Sequence, residues 1–98
     1  MHLWKAQMVL AWREKYGALD VSGPVSLTLE FTFARPKKPK HRLHITKPDL
    51  DNLAKAVMDS LTTARAWVDD SQVWSLTLSK SYSADPGVLI TMMTEEIE

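Results

Sequence analysis

The amino-acid sequence predicts a small α/β domain of the α+β kind: two helices and a small mixed β-sheet, in the order helix, strand, helix, strand, strand. Three observations predict it. Apolar residues recur at three- and four-residue spacing over 2–16 and again over 51–62. They alternate with polar residues over 25–33, 72–82 and 88–93. Turn-forming residues separate these segments, at Gly23-Pro24, Pro36 and Asp85-Pro86-Gly87. A chain of 98 residues without internal repeats makes one domain over 1–98, large enough to bury somewhat over half of its unfolded surface.

Each element has a local reason. In residues 2–16, Trp4, Met8, Ala11 and Trp12 share one helical face, and Leu3, Ala6 and Leu10 another. A helix apolar on two faces is either buried in the core or holds a second partner besides its own sheet. Gly17 is placed to cap it. Val25, Leu27, Leu29, Phe31 and Phe33 alternate with Ser26, Thr28, Glu30 and Thr32, giving a strand with one apolar and one polar face. The second helix carries a stripe of Leu50, Leu53, Ala54, Val57 and Leu61, with Asp51, Lys55 and Asp59 at four-residue steps on its other side. Beyond it, Trp74, Leu76 and Leu78 alternate with Ser75, Thr77 and Ser79. The Asp-Pro-Gly turn then predicts that the last two strands pair as a hairpin.

Composition narrows the function. There is no cysteine, which excludes disulfides and thiolate metal sites. No apolar run approaches a membrane span of ~18–20 residues, and Lys5 and Arg13 break any signal-peptide pattern, so the expected location is the cytoplasm. Net charge is zero, with 12 basic and 12 acidic residues, but the charge is segregated. Arg35, Lys37, Lys38, Lys40, Arg42 and Lys47 lie in a proline-rich stretch, 34–47, that contains no acid. A local cationic arm of this kind is either a solvated loop or a phosphate-binding surface. His41 and His44 within it are expected to touch phosphate or to lie exposed, a weak basis for a metal site.

Directly after the arm come Asp49 and Asp51 at a loop-to-helix junction, Lys55 one turn later, and Asp69-Asp70 before the next strand. Mg²⁺ is bound by one or two carboxylates with waters and substrate phosphate, so these acids are candidate ligands and Lys55 a candidate stabiliser of developing charge. Each piece has a plainer reading. Asp49 or Asp51 serves as a helix cap, Asp51, Lys55 and Asp59 form surface pairs worth ~0.3–0.5 kcal/mol, and Asp69-Asp70 makes a turn. The plain readings do not account for all of these occurring together beside a cationic arm, a combination suited to metal-assisted cutting of nucleic acid.

The string Lys47-Pro-Asp-Leu-Asp-Asn-Leu-x-Lys55-x-x-x-Asp59-x-Leu61, then Trp67-Val-Asp-Asp-Ser-Gln-Val73 and Lys80, resembles the RusA family of Holliday-junction resolvases. The resemblance implies a homodimeric, Mg²⁺-dependent endodeoxyribonuclease, with Mn²⁺ as a substitute. Such enzymes are encoded by bacteria, phages and prophages, make paired symmetric nicks in four-way DNA junctions, and act in recombination and repair. By position it implies that Asp49, Asp51 and Asp70 are catalytic metal ligands, that Lys55 is the catalytic lysine, and that Asp69 supports Asp70 from one step behind. Lys47 and Lys80 join Arg35, Lys37, Lys38, Lys40 and Arg42 as expected DNA contacts. Asn52 and Asp59 take structural or orienting roles.

Three departures stand out. The family usually opens with a strand, and the expectation is that this strand is missing before the first helix here. Arg65 stands where relatives often carry glycine, and because a Cβ resists positive φ the turn is expected to differ. The arm itself is unlike a fixed family sequence. An alternative reading is a branched-DNA-binding module that does not cut, and a third is an interaction domain with no nucleic-acid role.

Overall fold

The structure is a computed structural model that describes residues 2–38 and 41–95, with the side chains of residues 2–4 outside the description. Its elements are α1 (His2–Tyr16), β1 (Val25–Phe33), α2 (Leu50–Thr63), a 3-10 turn (Asp70–Gln72), β2 (Val73–Tyr82) and β3 (Gly87–Thr94). The predicted order and the mixed sheet are present.

The strand order is β2-β1-β3, with β1 parallel to β2 and antiparallel to β3. This corrects the expected hairpin, because β2 and β3 lie on opposite sides of β1. Val25, Leu27, Leu29 and Phe31 are at most 3% exposed, and the strand with the most apolar face buries it best with a neighbour on each side. The chain between β2 and β3 spans the end of β1 instead of folding back tightly. Ser83 N donates to Phe33 O (2.9 Å), and Thr32 Oγ1 donates to the carbonyls of Asp85 and Gly87 (3.0 and 3.2 Å).

Register sets which residues share a face. Leu27, Leu29 and Phe31 align with Leu76, Leu78 and Lys80 on β2 and with Met92, Ile90 and Val88 on β3. Against this face pack Ala54, Val57 and Leu61 of α2, with Trp67 from the turn that follows it. Fully burying an aliphatic side chain of this size contributes ~1.5–3 kcal/mol, so this cluster dominates stability. The indole of Trp67 donates to Thr62 Oγ1 (2.8 Å), which satisfies its buried N–H. The opposite face presents Thr28, Thr77 and Thr91 in one row and Glu30, Ser79 and Leu89 in the next.

Trp74 leaves the predicted alternation. Val73 and Ser75 face Val25 and Ser26, so Trp74 is the extra residue of a bulge and is 64% exposed. Helix α1 is not the fully buried helix that was one of its two expected forms. Met8 and Trp12 pack onto the core, while Leu10 is 69% exposed and Ala6 and Ala11 face solvent. The expected contributions of Leu3 and Trp4 lie outside the described side chains. Gly17 ends α1 at φ +68°, its N–H donating to Arg13 O (2.8 Å), the capping role its sequence position predicts.

Arg65 corrects a second expectation. The turn after α2 keeps the left-handed backbone despite the side chain, with Arg65 at φ 61°. The conformation is held from outside: Arg65 Nε and Nη2 donate to the two carboxylate oxygens of Asp20 (3.1 and 2.8 Å), and Asp20 N donates to Arg65 O (2.8 Å). The turn thereby feeds Trp67 into its bridge beside Val21 and directs the chain to the acidic pair.

Candidate nuclease site

Helix α2 and strand β2 together build a trough. A pocket of about 350 Å³ is lined by Asp51, Lys55, Met58, Asp59 and Asp70 over a floor that includes Leu76 and Leu78. The amphipathic pattern of α2 explains this. Its apolar stripe is pinned to the sheet, so the residues at four-residue steps fall on the flank facing β2. The surface-pair reading of those residues does not hold. Among the described residues, Lys55 makes no ion pair, and Asp59 instead meets Lys5 of α1 at 3.5 Å. With side chains 39% and 47% exposed, that contact is worth at most ~1 kcal/mol.

The predicted ligands are spread along this trough. Asp51 and Asp59 stand two helical turns apart, ~12 Å along the axis. Asp49 holds the N-cap position of α2 outside the lining residues, at the end where Lys80 of β2 reaches the loop. Asp70 opens the 3-10 turn at the other end of β2, and Val73 to Lys80 alone spans ~23 Å of strand. Among the described residues no three acids or histidines come close enough to enclose a metal ion. The donor set still suits a hard cation. It is all oxygen, exposed, and includes carboxylates not consumed by ion pairs, and Mg²⁺ asks for only one or two of them with water and phosphate filling the rest.

The capping reading divides between the two acidic motifs. Asp49 occupies the cap position with φ −74° and ψ 148°, yet its side chain makes no cap hydrogen bond, and only its carbonyl is used, accepting from Leu53 N (3.1 Å). Asp51 Oδ1 accepts from Asn52 N (3.0 Å), and among the described residues Oδ2 accepts from no donor. Asp69, by contrast, is a working cap. It accepts from the backbone and hydroxyl of Ser71, while Gln72 Oε1 accepts from Asp69 N (2.7 Å). Gln72 Nε2 in turn donates to the carbonyls of Val21 and Gly23 (2.8 and 2.9 Å), tying to the core the turn that presents Asp70. Asp69 thus supports its neighbour through the backbone.

The arm is attached to the sheet through aromatic rings. His44, expected to be exposed or on phosphate, is 9% exposed and lies against Phe33 (centroids 4.2 Å, stacked) and Tyr82 (5.3 Å, tilted). The reason is topological. Phe33 and Tyr82 end two parallel neighbouring strands in register, making an aromatic shelf that a flat imidazole covers. Arg35 lies over the other ring of the pair at 5.6 Å from the Tyr82 centroid. Sequence reasoning missed this shelf, because only strand pairing brings the two rings together. Arg35, Lys37, Lys38, Arg42 and Lys47 are all exposed and, among the described residues, unpaired with acids. Lys40 lies outside the described residues. Lys80 is placed differently: its ammonium donates to Thr46 O (2.8 Å) and Pro48 O (3.0 Å).

A larger pocket, about 520 Å³, lies on the β3 flank of α2, lined by Phe31, Phe33, Leu53, Ala56, Pro86 and Val88 among others. Among the described residues it gathers no titratable side chain, whereas the smaller trough gathers Asp51, Lys55, Asp59 and Asp70.

A small α+β domain that sets aspartates and a lysine along one helix flank, beside a cationic arm whose described lysines and arginines are exposed, has the make-up of a protein acting on phosphodiesters. The family comparison is specific. Residues 1–93 match the model of the endodeoxyribonuclease RusA family, and the chain belongs to that family. It is 38% identical over 80 residues to the uncharacterized protein YqaN of Bacillus subtilis, covering 69% of this chain and 56% of that protein. It is 37% identical over 70 residues to the crossover junction endodeoxyribonuclease RusA of Escherichia coli K12, covering 68% of this chain and 58% of that protein. The enzyme of the same name from Enterobacteria phage 82 matches at the same identity and coverage. The chain thus spans a little over half the length of the curated relatives it matches. Among the described residues no helix is long and apolar enough to cross a membrane.

Proposed function

We propose that this chain is a divalent-metal-dependent endodeoxyribonuclease that resolves four-way DNA junctions by paired, symmetric nicks in recombination and repair. The observation that carries the reading is the trough in which Asp51, Lys55 and Asp70 line one surface in a member of the RusA family. Relatives named for cutting crossover junctions, in bacteria and in a phage, support the substrate class and a cytoplasmic, DNA-bound setting.

In this mechanism Asp51 and Asp70 of the trough, with Asp49 at the start of α2, would supply the carboxylates for Mg²⁺, or Mn²⁺ in its place. When bound, the ion supplies Lewis-acid polarisation of the scissile phosphate. Lys55 brings a fixed positive charge to the same trough and offsets the charge that develops on the phosphate oxygens. Asp69 and Gln72 keep the Asp70 turn rigid. Arg35, Lys37, Lys38, Lys40, Arg42 and Lys47 grip the DNA backbone, which makes affinity fall with salt.

The protein acts as a homodimer. Leu10, Leu89 and Met93, exposed apolar residues, support this, and a second copy related by a two-fold axis would present an equivalent trough, matching the approximate two-fold symmetry of a junction.

The test is cleavage of a labelled synthetic junction with and without Mg²⁺, beside Asp70→Asn. Metal-dependent nicks at symmetry-related positions, lost in the variant, are the expected result. Binding without cuts would favour the non-cleaving junction-binding module, and an absence of salt-sensitive DNA binding would favour the interaction domain.

A further inference from the structure

Lys80 is the one cation of the expected DNA contacts whose ammonium is committed to protein oxygens within the described residues. It lies on the strand face of Leu76 and Leu78, the floor of the trough, because side chains two and four residues apart in a strand share a face. From there it crosses 34 and 32 positions of sequence to Thr46 O and Pro48 O. Those carbonyls lie in a loop with no ladder or helix to pair them, and Pro48 contributes no N–H of its own. The Pro48 carbonyl and the Asp49 nitrogen belong to one planar peptide, so fixing that oxygen fixes the plane from which Asp49 departs. The Asp49 carboxylate makes no cap bond that would orient it locally. The backbone from which it projects is tied to Lys80 through the Pro48 carbonyl.

We propose that Lys80 is a positioning residue: by clasping the carbonyls of Thr46 and Pro48 it orients Asp49 for metal binding, and it is not a phosphate contact. This rests on the nuclease reading above. Strand β2 then serves both ends of the site, presenting Asp70 at its start and steering Asp49 from near its end. Hydrogen bonds behind a metal ligand typically change metal affinity by about 10–100-fold when removed.

The sequence contains no cysteine, so Lys80→Cys introduces a single thiol. Aminoethylation of that thiol restores an ammonium at the original reach in the same folded protein. Mn²⁺ binding is measured without DNA by electron paramagnetic resonance, and junction binding is measured in EDTA across a salt series. The expected result is Mn²⁺ affinity lowered about 10-fold or more in Lys80→Cys and regained on aminoethylation. Junction affinity and its salt slope should stay unchanged throughout. A junction affinity that falls in Lys80→Cys, with the salt slope reduced by about one, would identify a phosphate contact and overturn the proposal. Unchanged Mn²⁺ affinity in the variant overturns it too, while leaving the nuclease reading intact if the parent protein binds Mn²⁺ and cuts. A parent protein that neither binds Mn²⁺ nor cuts overturns both. A Lys80→Arg variant provides a second arm, in which the guanidinium can donate to both carbonyls and should retain most of the Mn²⁺ affinity.

Discussion

Arg65 and Asp20 clamp one another across 45 positions of sequence, through two side-chain hydrogen bonds of 3.1 and 2.8 Å, while both hold left-handed backbone at φ 61° and 48°. The clamp joins the turn after α2 to the segment before β1, and through that turn the chain reaches Trp67 and the acidic pair. Asp tolerates that conformation better than most residues, but Arg does not favour it, and it costs a residue with a Cβ ~1–2 kcal/mol. The ion pair is exposed and offsets part of it, at ~0–1 kcal/mol.

The clamp predicts opposite outcomes for two substitutions. Arg65→Ala keeps the Cβ and loses the pair, and should destabilise the fold by ~0.5–1 kcal/mol. Arg65→Gly loses the pair but adopts positive φ freely, and should be as stable as the parent or slightly more so. Urea denaturation of the two variants checks the order, and a less stable Arg65→Gly would show that the ion pair outweighs the backbone.

Lys55 should separate chemistry from binding. It lines the trough and, among the described residues, makes no ion pair, so in the proposed mechanism Lys55→Ala removes charge only where the phosphate would react. The expected outcome is a loss of cleavage rate of about 100-fold or more, with junction affinity within about two-fold of the parent. Single-turnover rates and an EDTA binding titration measure the two quantities separately.

The arm should act through charge alone. The double variant Lys37→Ala, Lys38→Ala removes two exposed cations. If both meet phosphate, the slope of log affinity against log salt should fall by about two, with cutting unchanged at saturating protein. A slope equal to the parent's would return these lysines to solvent.

His44 should matter for the arm's anchorage. Stacked on Phe33 beside Tyr82, it fixes the loop at its midpoint. His44→Ala removes a buried ring and should cost ~1–3 kcal/mol, with faster tryptic cleavage after Arg42. His44→Phe refills the shelf and should restore the protection, because the contact is one of shape and not of charge.

The parts of this protein that repeat with a local period were legible in its amino-acid order. The alternation over Val25–Phe33 and the stripe Leu53, Ala54, Val57 and Leu61 give the strand and helix found, since burial on one side demands those periods wherever the element is placed. The string from Lys47 to Lys80 likewise carried the family, because residues needed for one chemistry keep their spacing.

Other features depend on contacts between distant segments, and these only the tertiary structure decided. No local period says whether β3 pairs with β2 or crosses to the far side of β1, and the burial of β1 between two neighbours settled that. The bulge at Trp74 and the left-handed turn at Arg65 follow from partners at Val25–Ser26 and Asp20. His44 looked like a surface histidine until two parallel strands placed Phe33 and Tyr82 side by side, and only the fold brought the Lys80 ammonium to the carbonyls of Thr46 and Pro48. Residue type and spacing declared the family, while the pairing of segments far apart in the chain determined which groups meet.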